Sequence, residues 1–284
     1  MGKIILYYQF VALADPDMTM RWQRELCERL ELKGRIIISA HGINGTVGGE
    51  LKNVKAYVRA MNLTSQFKGM QYKWSDGSAS DFPRLSVKVR DELVTLAPGE
   101  KFDVFNSTKG LKPKAWHDYL DKHPDAIVLD ARNDYESDIG AFKGQNVVKP
   151  KIKNFRDIKP ELDKLPKDQP ILTYCTGDIR CEYLSAYMKH KGFPEVYHLD
   201  GGVAKYGQQF GDGGHWEGKL YVFDKRMKLA FSDKSKDIGH CVHCDALSSR
   251  HINCEDVSCN RLILVCNDCG NKTTHCELHA SLAV

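Results

Sequence analysis

Apolar and polar positions change period several times along the first hundred residues, and each change marks an element. Ile4 to Phe10 is an apolar run of strand length. Pro16 to Leu32 then places Trp22, Leu26, Leu30 and Leu32 where they can share one face of an amphipathic helix. Gly34 to Ser39 reads as a second strand. The run His41-Gly42-Ile43-Asn44-Gly45 predicts a turn, because Asn-Gly suits positive φ angles, and Thr46-Val47-Gly48-Gly49 opens a third strand. Val54 to Met61 has a helical period. Arg84 to Arg90 alternates Leu85, Val87 and Val89 with Ser86, Lys88 and Arg90, the pattern of a half-exposed strand.

The resulting order, β-α-β-β-α-β, predicts a ferredoxin-like α+β domain over residues 1–100. Such a sheet has one face without helices, a common place for ligands or RNA. Lys101 to Pro113 has no strong period and reads as a connector. From Lys114 to Trp216 strand and helix patterns alternate, which predicts a parallel sheet with right-handed crossovers in an α/β domain assigned to 101–224. A strand-like run at Leu220 to Arg226 leads into a small cysteine-rich unit over 225–284.

The 284-residue chain carries a formal charge of +4, too little for a general nucleic-acid coat. Residues 1–100 hold 14 Lys and Arg against 11 Asp and Glu, so RNA binding would need a local patch. No apolar run approaches the ~18 residues of a membrane helix, and the amino terminus lacks a signal peptide's long apolar core. These features predict a cytosolic protein with no membrane partner. Ten cysteines in such a compartment suggest metal binding or catalysis more than disulfides. Cys27 stands alone in a helical pattern and reads as core.

Cys175 follows the strand-like run Ile171-Leu172-Thr173-Tyr174, and a helical pattern ending near Gly192 comes after it. A cysteine at such a junction meets loop N–H groups and a helix dipole, both of which favour a thiolate. Arg180 adds a positive charge. A nucleophilic or sulfur-carrying thiol is expected here, against the plainer reading of a small buried hydrophobe. Cys181, just past the loop, is a packed residue or a second thiol able to resolve an oxidised or persulfidated Cys175.

Cys175 to Arg180 resembles the six-residue active-site loop of the rhodanese family. Three further stretches resemble that family in the same order: Asp130-Ala131-Arg132 followed by Glu136, Gly140-Ala141-Phe142-Lys143-Gly144, and Gly192 to Gly202 with its closing double glycine. The resemblance implies that Asp130 and Arg132 lie beside the catalytic loop. Asp178 departs from it, since close relatives commonly carry Gly there. A carboxylate at that point would raise the thiol pKa. Ala141 stands where many rhodaneses have His.

The tail offers Cys241-x-x-Cys244, Cys254-x4-Cys259, Cys266-x-x-Cys269 and Cys276-x-x-His279. Two C-x-x-C knuckles about 21 residues apart fit one tetrahedral zinc site, and the other two pairs fit a second in alternation. Metal-free thiols, disulfides and an iron–sulfur cluster are the competing readings.

Taken with Ser39 to Thr46, Phe82 to Arg90 and Val222-Phe223-Asp224-Lys225-Arg226, nearly the whole chain resembles the bacterial rhodanese-domain tRNA uridine hydroxylases. The resemblance implies oxygen-dependent conversion of wobble uridine 34 to 5-hydroxyuridine. Cys175, Arg180, Cys181, Asp130 and Arg132 are then the catalytic candidates. The partner is the tRNA anticodon arm, held between the amino-terminal domain and the Cys175 face. His41, Asn44, Arg84, Lys88 and Arg90 are the candidate RNA contacts. Zinc is expected in the tail and dioxygen as co-substrate. The sequence shows no flavin or nicotinamide fingerprint and no compact His/carboxylate iron motif. A sulfurtransferase is the alternative function, and a non-catalytic binding module the third.

Overall fold

The computed structural model describes residues 2–279. The amino-terminal domain runs β1 (Gly2–Phe10), α1 (Pro16–Arg29), β2 (Lys33–Ser39), β3 (Gly42–Glu50), α2 (Leu51–Leu63), β4 (Tyr72–Asp76) and β5 (Leu85–Val89). Its sheet has the order β4-β1-β3-β2-β5, the ferredoxin-like arrangement with β5 added parallel to β2. Strand alternation divides the side chains. Ile5, Tyr7, Ile36, Ile38, Ile43 and Val47 face α1 and α2 and build a core with Leu26, Cys27, Val54 and Tyr57. Leu6, Tyr8, Phe10, Ile37 and Asn44 take the opposite face.

The expected turn at 41–45 is shorter than the sequence suggested. Only Ala40 and His41 form it, and β3 begins at Gly42. Asn44 and Gly45 are therefore strand residues. Gly45 is small for a packing reason: a Cβ there would lie 2.5 Å from the Tyr7 ring. Most of this run is therefore a ring-covered strand and not a turn.

The central domain comprises β6 (Lys109–Leu111), α3 (Pro113–Lys122), β7 (Ile127–Asp130), α4 (Asp134–Ser137), β8 (Gly140–Phe142), β9 (Val147–Val148), α5 (Lys159–Leu162), β10 (Ile171–Tyr174), α6 (Ile179–His190), β11 (Val196–Leu199), α7 (Gly202–Phe210) and β12 (Trp216–Gly218). Its main sheet has the order β6-β11-β10-β7-β9, with every pair parallel. β6 falls inside the stretch read as a connector. It is short and half-exposed, so it left little apolar signal. β8 and β12 form a separate antiparallel pair.

The expected strand at 220–226 is a hairpin instead. Leu220–Tyr221 pairs with Lys228–Leu229 across it. At its tip Arg226 pairs with Asp224 and donates to Ser75 Oγ at 3.0 Å, and the Lys225 N–H donates to the Asp81 carbonyl. The Val222 to Arg226 run thereby ties the central domain to β4 and the turn after it.

A candidate active site at the seam of two domains

The face of the first sheet expected to be open is covered. It packs on the Cys175 loop and on α6. Ile37 meets Ile179, Phe10 stacks on Tyr183 with ring centroids 6.0 Å apart, and Leu6 lies over Gly177. Cys175 is left 1% exposed.

The loop owes its shape to Asp178, which caps α6 with φ of 85°. A non-glycine residue in the left-handed region is strained, and surrounding contacts must hold it there. The Asp178 carboxylate lies 2.7 Å from His198 Nδ1, accepts from the Tyr8 hydroxyl at 2.8 Å and accepts from the Gly201 N–H at 3.1 Å. Its own N–H donates to Cys175 Sγ at 3.2 Å. Gly202, φ 67°, completes the fit: a Cβ on it would lie 2.7 Å from the Cys175 and Thr176 carbonyl oxygens and the Asp178 nitrogen. Gly202 is thus required by close backbone approach, and Gly201, with φ of 81°, by the left-handed turn before it.

Burial alone would push the Cys175 thiol up. The adjoining Cys181 thiol and backbone, and the Arg180 charge, outweigh burial, while Asp178 opposes them. The balance lowers Cys175 to about 6. Cys181, fully buried beside it, is driven up by burial and by its thiolate neighbour. Of the two thiols, Cys175 is the one driven towards the thiolate.

Arg180 acts on the sulfur from a fixed position. It forms a two-pronged pair with the buried Glu136 at 2.6 and 2.7 Å, and Thr176 Oγ1 bridges to both partners. Asp130 and Arg132 sit at the neighbouring strand end, as the sequence implied. They are fully buried and face each other at 2.6 Å rather than the sulfur. Arg132 also reaches the Gly140 carbonyl, and Tyr174 and Ser137 donate to Asp130. Their geometry supports the sheet end that carries the loop.

Tyr8, Lys73, Glu182 and His198 complete the site, and sequence reading passed over them. The Tyr8 hydroxyl also donates to Glu182 at 2.7 Å. Lys73 donates to the Gly177 carbonyl at 2.9 Å and lies 4.7 Å from the Tyr8 ring centre. Tyr8 looked like one more apolar residue of β1. Its facing toward the second domain was readable only once that domain's docking was known. A cavity of 310 Å³ opens at this seam, lined by Tyr8, Tyr72, Lys73, Glu182, Gly201 and Lys205 among others.

Of the RNA candidates, Asn44 lies in one cross-strand row with Tyr8, Ile37 and Lys88. Its side chain donates to the Leu93 carbonyl. Lys88 and Arg84 are exposed on the outer strand β5 or just before it, and Arg90 is exposed just past its end. His41 lies edge-on to Phe105 at the hairpin tip.

The tail brings its cysteines together as the alternating pairs predicted. Cys241, Cys244, Cys266 and Cys269 form one group, and Cys254, Cys259, Cys276 and His279 the other, with ligand atoms in each group within 4.8 Å of one another. The sulfurs of Cys244 and Cys266 are 3.6 Å apart and those of Cys259 and Cys276 3.8 Å. Disulfides need about 2.05 Å. A tetrahedron with metal–sulfur bonds of about 2.3 Å has edges of about 3.8 Å. Both groups therefore fit a tetrahedral metal ion. Among the described residues no disulfide is present, and no helix is long and apolar enough to cross a membrane.

Fold and loop together define a rhodanese-like catalytic domain joined to an amino-terminal α+β domain and a metal-capable tail. Family models agree along the chain: a UPF0176 acylphosphatase like domain matches residues 2–93, a rhodanese-like domain 113–209, and the rhodanase C-terminal region 217–280. Curated relatives share this whole plan. A tRNA uridine(34) hydroxylase of Corynebacterium urealyticum is 50% identical over 279 residues, covering 95% of this chain and 93% of its own. One from Arthrobacter sp. is 49% identical over 95% of both chains, and one from Corynebacterium glutamicum is 46% identical over 100% of this chain and 94% of its own. The chain belongs to the tRNA uridine(34) hydroxylase family and is an enzyme.

The Asp178–His198 pair makes a pH signature. Burial disfavours the His198 imidazolium, but Asp178 and Glu182 outweigh it and raise its pKa to about 9. This stabilisation is complete below the unfolded value near 6.5 and is lost as pH rises through about 9. It amounts to roughly 3 kcal/mol at 1.36 kcal/mol per unit. The lowered Cys175 works in the opposite sense over nearly the same window, its share being lost as pH falls towards 6. In Cys175→Ser protein, the unfolding free energy should therefore fall between pH 6.5 and 9, and His198 should titrate near 9 by NMR. A His198 titration at its ordinary value would contradict the pair.

Proposed function

We propose that this chain hydroxylates uridine 34 of tRNA at C5, giving 5-hydroxyuridine, with Cys175 as covalent catalyst and dioxygen as oxidant. The observation that carries the reading is a thiolate-forming cysteine beside a polar cavity at the seam, in a chain whose relatives bear that activity in their names over nearly their full length. Because Cys175 is closed off, the base enters as Leu6 and Tyr8 move from the loop.

The Cys175 thiolate forms a bond to C6 of uracil, and the electron pair moves to C5. Dioxygen accepts that pair and forms the C5–O bond. The Cys181 thiol supplies two electrons that cleave the O–O bond, takes one oxygen as a sulfenic acid and leaves a hydroxyl on C5. Loss of the C5 proton and departure of Cys175 restore the C5–C6 double bond. Cys175 and Cys181 then condense to a disulfide with release of water, and an external dithiol reduces it. The sum is uridine, dioxygen and a dithiol giving 5-hydroxyuridine, water and a disulfide. Both cysteines lie in one buried cluster beside the loop, which supports this pairing. Arg180 holds the thiolate, and Asp130 with Arg132 positions the loop.

The anticodon arm lies along the seam, with its phosphates against Arg84, Lys88 and Arg90 and its loop near His41 and Asn44. Zinc occupies both tail sites, holding the tail's fold. The working compartment is the cytosol.

Cys175→Ser should abolish 5-hydroxyuridine formation in tRNA nucleosides measured by mass spectrometry, with the fold unchanged. If the serine variant modified tRNA at the wild-type rate, the assignment would be wrong. If wild type moved sulfur from thiosulfate to cyanide and left uridine 34 unmodified, the sulfurtransferase reading would replace this one.

Replacing Arg84, Lys88 and Arg90 together by Gln should weaken tRNA binding and flatten its log–log salt slope by up to about 2–3, since each lost phosphate contact removes about 0.7–0.9. An unchanged affinity and slope would move the RNA surface elsewhere.

A further inference from the structure

Two histidines and an aspartate converge on the central domain, away from the cysteine loop and the tail. One ligand atom each from His117, Asp121 and His215 lies within 4.8 Å of the other two. His117 and Asp121 are one turn apart on α3, so they share a helix face. His215 comes from the segment just before β12.

The two histidines are held by the surrounding fold, and Asp121 is an exposed residue of α3 paired with both. His117 stacks on Phe210 with ring centroids 4.3 Å apart and planes 7° apart. Its Nδ1 lies 2.8 Å from the Tyr206 hydroxyl, which also accepts the His215 backbone N–H at 3.0 Å. The His215 carbonyl accepts the Lys143 N–H at 2.7 Å. With Nδ1–H donating to Tyr206, the Nε2 lone pair of His117 is free and faces Asp121 Oδ2 at 3.5 Å. His215 Nε2 lies 2.7 Å from Asp121 Oδ1. A metal-bound imidazole usually donates its other ring N–H to an oxygen acceptor, a part the Tyr206 hydroxyl takes here.

We propose that His117, Asp121 and His215 form a third metal site, for a borderline dication of the zinc, cobalt, nickel or ferrous type. Two imidazoles and one carboxylate suit such ions and are a poor match for calcium or magnesium. Bonds of about 2.0–2.1 Å in a tetrahedron set donors about 3.4 Å apart. The His117–Asp121 spacing already meets this, and the His215–Asp121 spacing needs a small opening. Three protein ligands leave a coordination position for water or an exogenous ligand. The ion would join α3 to the segment beyond α7. The three side chains make no hydrogen bond to the Cys175 loop, although α7 begins there, with the Val203 N–H donating to the Cys175 carbonyl. A metal-free histidine–carboxylate cluster at the surface is the competing account, and such pairs contribute little.

The test uses the full chain, purified without chelator and reduced, with bound metal counted first. Cobalt(II) is then titrated into wild type, an Asp121→Asn/His215→Gln double variant and Tyr206→Phe. Wild type should take up one more ion per chain than the double variant. Its visible d–d bands should appear without thiolate charge transfer, which separates this site from the cysteine-rich tail. Tyr206→Phe should weaken the added binding about 10-fold or more. Circular dichroism and an equal tail metal count establish that the variants fold. Equal uptake by wild type and the double variant, or a cobalt spectrum with only thiolate character, would overturn the site.

Discussion

The carboxylate of Asp178 sits between Tyr8 of the amino-terminal sheet, His198 of β11 and the Gly201 N–H, and the shape of the Cys175 loop depends on that buried junction. The left-handed backbone at Asp178 aims its own N–H at the sulfur. Without its three partners, that conformation would be unfavourable by about 1–3 kcal/mol and the carboxylate would be buried unpaired. The same contact closes the loop from solvent. Docking of the two domains and preparation of the thiolate are thus one physical event, and a substrate that opens the seam also alters the charges around Cys175.

A second buried pair, Arg180 with Glu136, works from the opposite side. Removing one member of such a pair costs about 3–5 kcal/mol, because the other charge is left in a low-dielectric site. Arg180 is therefore both a support of the fold and a positive charge that favours the thiolate. Loss of activity on replacing it would mix the two roles.

Much of this was legible in the chain. The strand, loop and helix around Cys175 follow from a short apolar run, a glycine and a helical period. The cross-braced tail follows from ligand spacing, because a segment poor in large apolar side chains gains a core mainly by binding metal. The misreadings have physical causes. Asn44-Gly45 carries a turn signature, yet Gly45 is there because the Tyr7 ring covers it. Tyr8 and His198 lie in strands that read as apolar, and only the docking of one sheet on another loop gives their polar ends a partner. His215 is separated by nearly a hundred residues from His117, so no local spacing could announce their meeting.

The account rests on Cys175 attacking the wobble base across this seam. An anticodon stem-loop deuterated at C5 of uridine 34, incubated without dioxygen in ordinary water, tests that directly, since thiolate addition to C6 puts an electron pair on C5 that takes a solvent proton, and reversal then releases the deuterium. The account predicts loss of the C5 deuterium with wild type and its retention with Cys175→Ser. Retention by wild-type protein that hydroxylates the same stem-loop once dioxygen is admitted would contradict it.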